Sequence, residues 1–324
     1  MNLPTPADVQ DAGRRIAAHI VRTPVLRHPW LDETAGCTVL VKAEPLQRTG
    51  SFKLRGATNA VLQLTPAQQQ AGLVAYSSGN HAQAVACAGA AVGAPVCIVM
   101  PSDAPVIKAA NTRRWGAEIV FYDRVRDDRE AIGREIAART GASLIPPYDH
   151  PHVVAGQGTM ALELAEDATA SGLAMDALLV CTGGGGMVAG CALALEAVSP
   201  GTRVYAVEPA GSDDTTRSLQ AGERLSNPPG ASTLCDALLA PMPGELTFAV
   251  NRAHLAGGVV VTDDEVRAAM RFAFLNLKLV VEPGGAVALA AVLAGKVPPG
   301  RTVGVIVSGG NVDPAVFAEA LAGG

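Results

Sequence analysis

Two features of this chain could do chemistry together: a lysine at the head of an apolar helix, and a run of glycines between a strand and a helix. Ser51-Phe52-Lys53-Leu54-Arg55-Gly56-Ala57 places the lysine in the first helical turn, where a cation opposes the positive end of the helix dipole. An ammonium held there among apolar neighbours loses its proton more readily, as an imine-forming amine must. The plain alternative is a solvated surface lysine. The glycine run follows the apolar stretch 178–181 and Thr182: Gly183, Gly184, Gly185 and Gly186 lead into a helix at Met187. Four bare residues cost backbone entropy, and they suit a loop whose N–H groups wrap a phosphate at a helix N-terminus. A tight turn needing positive φ is one alternative. A nucleotide fingerprint is another, because Gly184, Gly186 and Ala189 fit G-x-G-x-x-A and Glu208 ends the next strand at a distance suited to a ribose, as in a nicotinamide-dependent oxidoreductase. Ser77-Ser78-Gly79-Asn80-His81 also joins a strand to a helix. It offers hydroxyls, an amide and free N–H groups to a carboxylate, or simply caps its helix. Ser308-Gly309-Gly310-Asn311 ends a strand with a hydroxyl that either points into a crevice or makes a turn.

Bringing these segments together takes an alternating frame. The pattern predicts strands over 39–43, 73–77, 96–100, 118–122, 177–181, 204–207 and 302–307. It predicts helices over 52–63 with Ser51 as N-cap, 81–92, 106–114, 129–139 ended by Gly141, 187–197, 263–277 and 286–294. Such alternation argues for an α/β protein, and strands as apolar as LLVC and VGVIV suit parallel sheets covered on both faces. The proline-rich loop 146–151 is the expected crossing between two domains.

Composition narrows the functions. The 324 residues are 49% hydrophobic and 17% charged, enough for about two cored domains and too apolar for disorder. The net charge of -5 and the lack of a basic run argue against a nucleic-acid or anionic membrane partner. No basic segment followed by an apolar one marks a signal peptide near Met1, and the longest uncharged run, 84–101, contains Pro95 and reads as a helix and a strand. Six cysteines without a CxxC pair and six histidines without HExxH argue against zinc and fit a reducing cytoplasm.

Taken in order, SFKLRGA, SSGNHAQA, GGGGM and SGGN resemble the fold type II pyridoxal-phosphate (PLP) enzymes, and more narrowly their threonine/serine dehydratase (ammonia-lyase) and serine racemase branch. The resemblance runs from Thr23-Pro24-Val25 to Asn311. Lys53-Leu54-Arg55 and Asn80-His81 depart from the S-x-K-D-R and S-G-N-T-G patterns of the cysteine synthase branch. The resemblance implies a tryptophan synthase β-like fold, with two domains each holding a mostly parallel sheet covered by helices. Residues 1–70 and 148–324 would form the large PLP-binding domain and 71–147 a small mobile one. Lys53 would form the imine with pyridoxal 5'-phosphate, Phe52 would pack beside the ring, and Asn80 would bond its phenolic oxygen. Gly183, Gly184, Gly185, Gly186 and Met187 would bind the phosphate, and Ser308 would meet the pyridine nitrogen.

The same resemblance implies a β-elimination. Ser77, Asn80 and the His81 N–H would hold the substrate carboxylate, Lys53 would take the Cα proton, and Ser78 matches the acid/base on the opposite face in serine racemases. The expected activity is conversion of L-threonine or L-serine to a 2-oxo acid and ammonia, with amino-acid racemization as the alternative. A 3-hydroxyaspartate becomes a substrate if an arginine such as Arg129 reaches its distal carboxylate. Glu208, the Ser212 carbonyl and Asp214 match a cation loop of the relatives, suited to Mg²⁺ or to Ca²⁺ or Mn²⁺; a solvated acidic turn is the other reading. Ala82, Ala237 and Ala240 stand where relatives have glycine, glycine and serine. A homodimer is expected by the same likeness.

Overall fold

The apolar strands assemble into two separate sheets. The computed structural model describes residues 2–77, 79–104 and 106–323. In chain order the strands are β1 (Val25–Leu26), β2 (Thr38–Ala43), β3 (Leu73–Tyr76), β4 (Val96–Pro101), β5 (Glu118–Tyr122), β6 (Ser143–Leu144), β7 (Ala177–Cys181), β8 (Arg203–Pro209), β9 (Leu255–Val261) and β10 (Thr302–Val307). The larger sheet has the order β1-β2-β10-β7-β8-β9, with β1 antiparallel and the rest parallel. Its central strands β7 and β10 are buried along their whole length, as strands covered on both faces must be. The smaller sheet, β5-β4-β3-β6, is parallel throughout.

Period-two alternation divides the smaller sheet's packing. Leu73 and Ala75 of β3 enter a core shared with the helices Lys53–Leu62 and Asn80–Val92, whereas Val74 and Tyr76 face the helix Arg129–Thr140. The lysine helix is also tied to the larger sheet by charge. Arg55, fully buried, donates to Glu44 at 2.8 and 2.9 Å and to Glu163 at 2.7 and 2.9 Å. Lys42 of β2 pairs with Glu163 at 2.7 Å. Two cations and two anions thus neutralise each other between β2, the lysine helix and the helix Pro151–Ala170.

Several local expectations change. Ser51 does not cap the lysine helix. Phe52 holds the N-cap position without a side-chain bond, because the backbone of Ser51 is bridged to Gly309. The helix expected over 263–277 ends at Phe272 and continues as a π turn, Ala273–Leu277. The helices Pro6–Ile16, Pro29–Ala35, Pro66–Ala71, Pro151–Ala170, Asp214–Ala221, Glu245–His254 and Pro314–Ala322, and the strands β1, β6 and β9, were not expected.

Candidate active site

A cleft of about 190 Å³ between the sheets brings the four motifs to one place. Phe52 and Lys53, Ser77, Asn80 and His81, the four glycines with Met187, and Ser308 all line it. Ser78 lies outside the described residues.

Lys53 is pinned inside this cleft. Its Nζ donates to the Pro147 carbonyl at 2.7 Å and stands 5.2 Å from the Phe52 ring centroid. Burial draws its pKa down to about 8, with Glu282 pulling the other way. A fraction of the amine is therefore unprotonated near neutral pH, as a nucleophile or base requires.

The glycine bend is held from behind. The Gly184 carbonyl accepts from Thr247 Oγ1 at 2.7 Å and the Gly185 carbonyl from Asn251 Nδ2 at 3.3 Å. Both donors lie on the helix Glu245–His254, whose first turn is capped from far away in sequence: Asp149 accepts from the N–H groups of Glu245 and Thr247, each at 3.0 Å. In a trans peptide the N–H points opposite to the carbonyl. The N–H groups of Gly185 and Gly186 therefore turn away from that helix, at the positive end of the helix Gly186–Val198, where an anion is favoured. Of the four glycines only Gly185, at φ 87°, needs the left-handed region. Gly184 is bare for another reason, since a Cβ there would lie 2.5 Å from the Tyr148 ring.

Neighbouring strand ends place the remaining groups. Ile306 pairs with Val180, so β10 delivers the buried Ser308 beside the start of the bend. The Ser308 carbonyl accepts from the Phe52 N–H at 3.0 Å, which fixes the entry to the lysine helix. Asn80 is held at both ends of its amide. Its Nδ2 donates to Glu282 Oε1 at 2.6 Å, and its Oδ1 accepts from Asn311 Nδ2 at 2.7 Å. The Ser77 hydroxyl accepts from the Gly79 N–H at 3.2 Å. The His81 ring is an anchor. Its Nε2 meets the Ile145 carbonyl at 2.8 Å, and burial with nearby Lys53 pushes its pKa down to about 3, so the neutral ring donates there. Its backbone N–H, in the first turn of Asn80–Val92, is the group left for a carboxylate.

Sequence reasoning missed several residues of the cleft. Glu282 is buried there and burial raises its carboxyl pKa to about 7; its only local signal is an acid ahead of Pro283-Gly284-Gly285. Tyr76 and Tyr148 also line the cleft, as do Lys108 and Asp236, which pair with each other at 3.1 Å. Arg129, named above for a distal carboxylate, lines it too.

Glu208, Ser212 and Asp214 lie elsewhere, none of them lining the cleft. The Glu208 carboxylate accepts from the N–H groups of Thr215 and Thr216 at 2.9 and 2.7 Å and from Thr216 Oγ1 at 2.6 Å. It is buried outside the cleft, so it cannot serve a ribose there, and the nicotinamide reading loses its acidic partner. Asp214 Oδ1 accepts from Asn227 Nδ2 at 2.7 Å, whereas the buried Oδ2 has no partner among the described residues. Burial raises the pKa of Glu208 to about 7, with Asp214 adding to the rise, and that of Asp214 to about 6. An unmatched buried oxygen beside a second carboxylate fits a cation. Among the described residues, however, no three His, Cys, Asp or Glu side chains gather into a metal-binding group, so carbonyls or waters would have to complete the shell. All six cysteines are free, and among the described residues no helix is long and apolar enough to cross a membrane.

The family model described as pyridoxal-phosphate dependent enzyme matches residues 16–309. An L-threo-3-hydroxyaspartate ammonia-lyase from Pseudomonas sp. is 46% identical over 326 residues, covering 100% of both chains. A threonine deaminase structure from T.th. is 43% identical with a TM-score of 0.90, covering 96% of this chain and 99% of that one. The maize serine racemase structure is 36% identical with a TM-score of 0.92, covering 99% and 97%.

Proposed function

The chain belongs to the pyridoxal-phosphate dependent enzymes, and on that premise we propose that it is an ammonia-lyase that converts small β-hydroxy amino acids to a 2-oxo acid and ammonia, with L-threo-3-hydroxyaspartate preferred over L-serine and L-threonine. The observation that carries this choice is Arg129 in the cleft with its charge unspent. Its neighbours Asp128 and Glu130 both face Arg134, at 3.9 and 3.7 Å, and among the described residues Arg129 has no carboxylate partner. A second carboxylate on the substrate supplies one. The likeness to the Pseudomonas enzyme supports the same substrate class.

Lys53 would hold the cofactor's aldehyde carbon, Phe52 its ring, Asn80 its phenolic oxygen, and Gly183, Gly184, Gly185, Gly186 and Met187 its phosphate. Bound there, pyridoxal phosphate supplies the electron sink that lets a Cα proton leave. Ser308 would face the ring nitrogen, and a neutral hydroxyl does not enforce protonation there, so the sink is moderate and early loss of the β-substituent is favoured. Ser77, Asn80 and the His81 N–H hold the α-carboxylate while Arg129 holds the distal one. Lys53 Nζ, a free amine once the substrate's own amine has taken its place, would take the Cα proton. The β-hydroxyl would accept a proton and leave as water, the proton lost from Cα balancing it, and a water molecule would then release ammonia. The likeness to maize serine racemase supports a second reading, racemization, with Ser78 as acid on the opposite face.

Around this centre we read 71–147 as a mobile small domain that closes over the substrate, against a large domain of 1–70 and 148–324. We read Glu208, Asp214 and the Ser212 carbonyl as holding Mg²⁺, Ca²⁺ or Mn²⁺ outside the cleft. Six free cysteines suit a reducing cytoplasm, and exposed Phe274, Leu275 and Val280 suit a homodimer contact. The deciding experiment measures 2-oxo acid, ammonia and D-enantiomer from L-threo-3-hydroxyaspartate, L-serine and L-threonine. The expected kcat/KM for hydroxyaspartate elimination is at least about tenfold above the others. Equal turnover of all three, or D-enantiomer forming faster than 2-oxo acid, overturns the reading.

A further inference from the structure

Arg129 begins its helix on a long, flexible side chain, so the cleft needs something to hold the guanidinium in place. The alternation of β3 turns Tyr76 toward the helix Arg129–Thr140, where it is only 9% exposed. Gly133 leaves room for the ring, since a Cβ there would stand 3.2 Å from Tyr76 Cδ1. One turn earlier on the same helix face is Arg129, and its guanidinium carbon lies 5.7 Å from the Tyr76 ring centroid. Both residues line the cleft, and Tyr76 directly precedes Ser77. Burial above all, with Glu130 adding to it, pushes the phenol pKa up to about 12. The ring is therefore neutral and lends a π face that orients the cation without cancelling its charge.

We propose that Tyr76 is a positioning residue for substrate specificity: its ring holds the Arg129 guanidinium over the cleft, so that a dicarboxylic β-hydroxy amino acid meets a preset charge. This rests on the reading of Arg129 as the holder of the distal carboxylate. Fixing a guanidinium in advance spares the substrate the cost of ordering it, and the gain falls on substrates with a second carboxylate alone.

The test titrates holoenzyme with L-aspartate, which has the second carboxylate, and L-alanine, which lacks it, following the cofactor's visible absorbance. The readout is the ratio of the two dissociation constants, which a general loss of structure does not move selectively. Tyr76→Leu is expected to shift the ratio against L-aspartate by about fivefold. Tyr76→Met, similar to leucine in volume but longer and more adaptable, gives the same shift should the leucine variant fold poorly, and Tyr76→Phe, which keeps the π face, holds the ratio within about twofold. Equal weakening of both ligands by Tyr76→Leu and Tyr76→Met, or no weakening, overturns the role of Tyr76. Arg129→Gln separates the two levels. A ratio unchanged in that variant overturns the assignment of Arg129 itself; a ratio that collapses there but survives both Tyr76 variants overturns only the positioning role.

Discussion

Replacing Glu282 by glutamine tests the electrostatics of the cleft. Burial raises this carboxyl from its ordinary 4.5 to about 7, even though Asn80 donates to it at 2.6 Å and Lys108 and Lys53 favour its charge. The folded protein therefore keeps a proton that the unfolded chain releases between pH 4.5 and 7. Ionisation works against folding as pH rises through that window, and the cost is complete above the folded-state value. At about 1.4 kcal/mol per pH unit, the cost is on the order of 3 kcal/mol. Glutamine keeps the shape and an oxygen for Asn80 but never ionises. The cofactor-free Glu282→Gln protein is therefore expected to match the native chain near pH 4.5 and to exceed its stability by up to about 3 kcal/mol at pH 8. Urea titrations at four pH values between 5 and 8, followed by tryptophan fluorescence, measure the gap. A difference that stays flat with pH, or shrinks as pH rises, refutes the reasoning. Turnover is expected to fall in the same variant, because a buried acid kept in a cleft against the interest of stability marks function.

Three further outcomes are expected. Lys53→Ala should lose both the visible band of covalently held cofactor and all turnover; a normal rate would show that another group does its work. Arg55→Met leaves Glu44 and Glu163 buried with only Lys42 to balance them, and should cost about 3–5 kcal/mol in urea unfolding; a loss below about 1 kcal/mol would mean that the network relaxes or admits water. Chelation with EDTA should lower the thermal midpoint and Mg²⁺ restore it, whereas a midpoint indifferent to both removes the cation from Glu208 and Asp214.

What could be read from the sequence divides along a physical line. The strands and the groups proposed to hold the cofactor lie in contiguous motifs, because a strand's period and a glycine loop are local properties of the chain. The groups that tune those motifs act across long sequence distances, which no local pattern records. Glu282 reaches Asn80 over 202 positions, and Asp149 caps the helix behind the glycine bend over 96 and 98. The helix Pro151–Ala170 went unread for a related reason. Residues 153–161 are all buried, so its first half has no polar face to set against an apolar one, and a helical period shows only through that contrast. The glycine run carries the same lesson at the scale of one loop. Four identical letters conceal unlike constraints, the left-handed backbone of Gly185 and the Tyr148 ring against Gly184, and the second depends on a residue brought in from another part of the chain. Specificity belongs with that second kind. The charge of Arg129 is visible in the sequence, but the ring that orients it comes from β3, and the pairing exists only because the fold lays the helix Arg129–Thr140 across that strand.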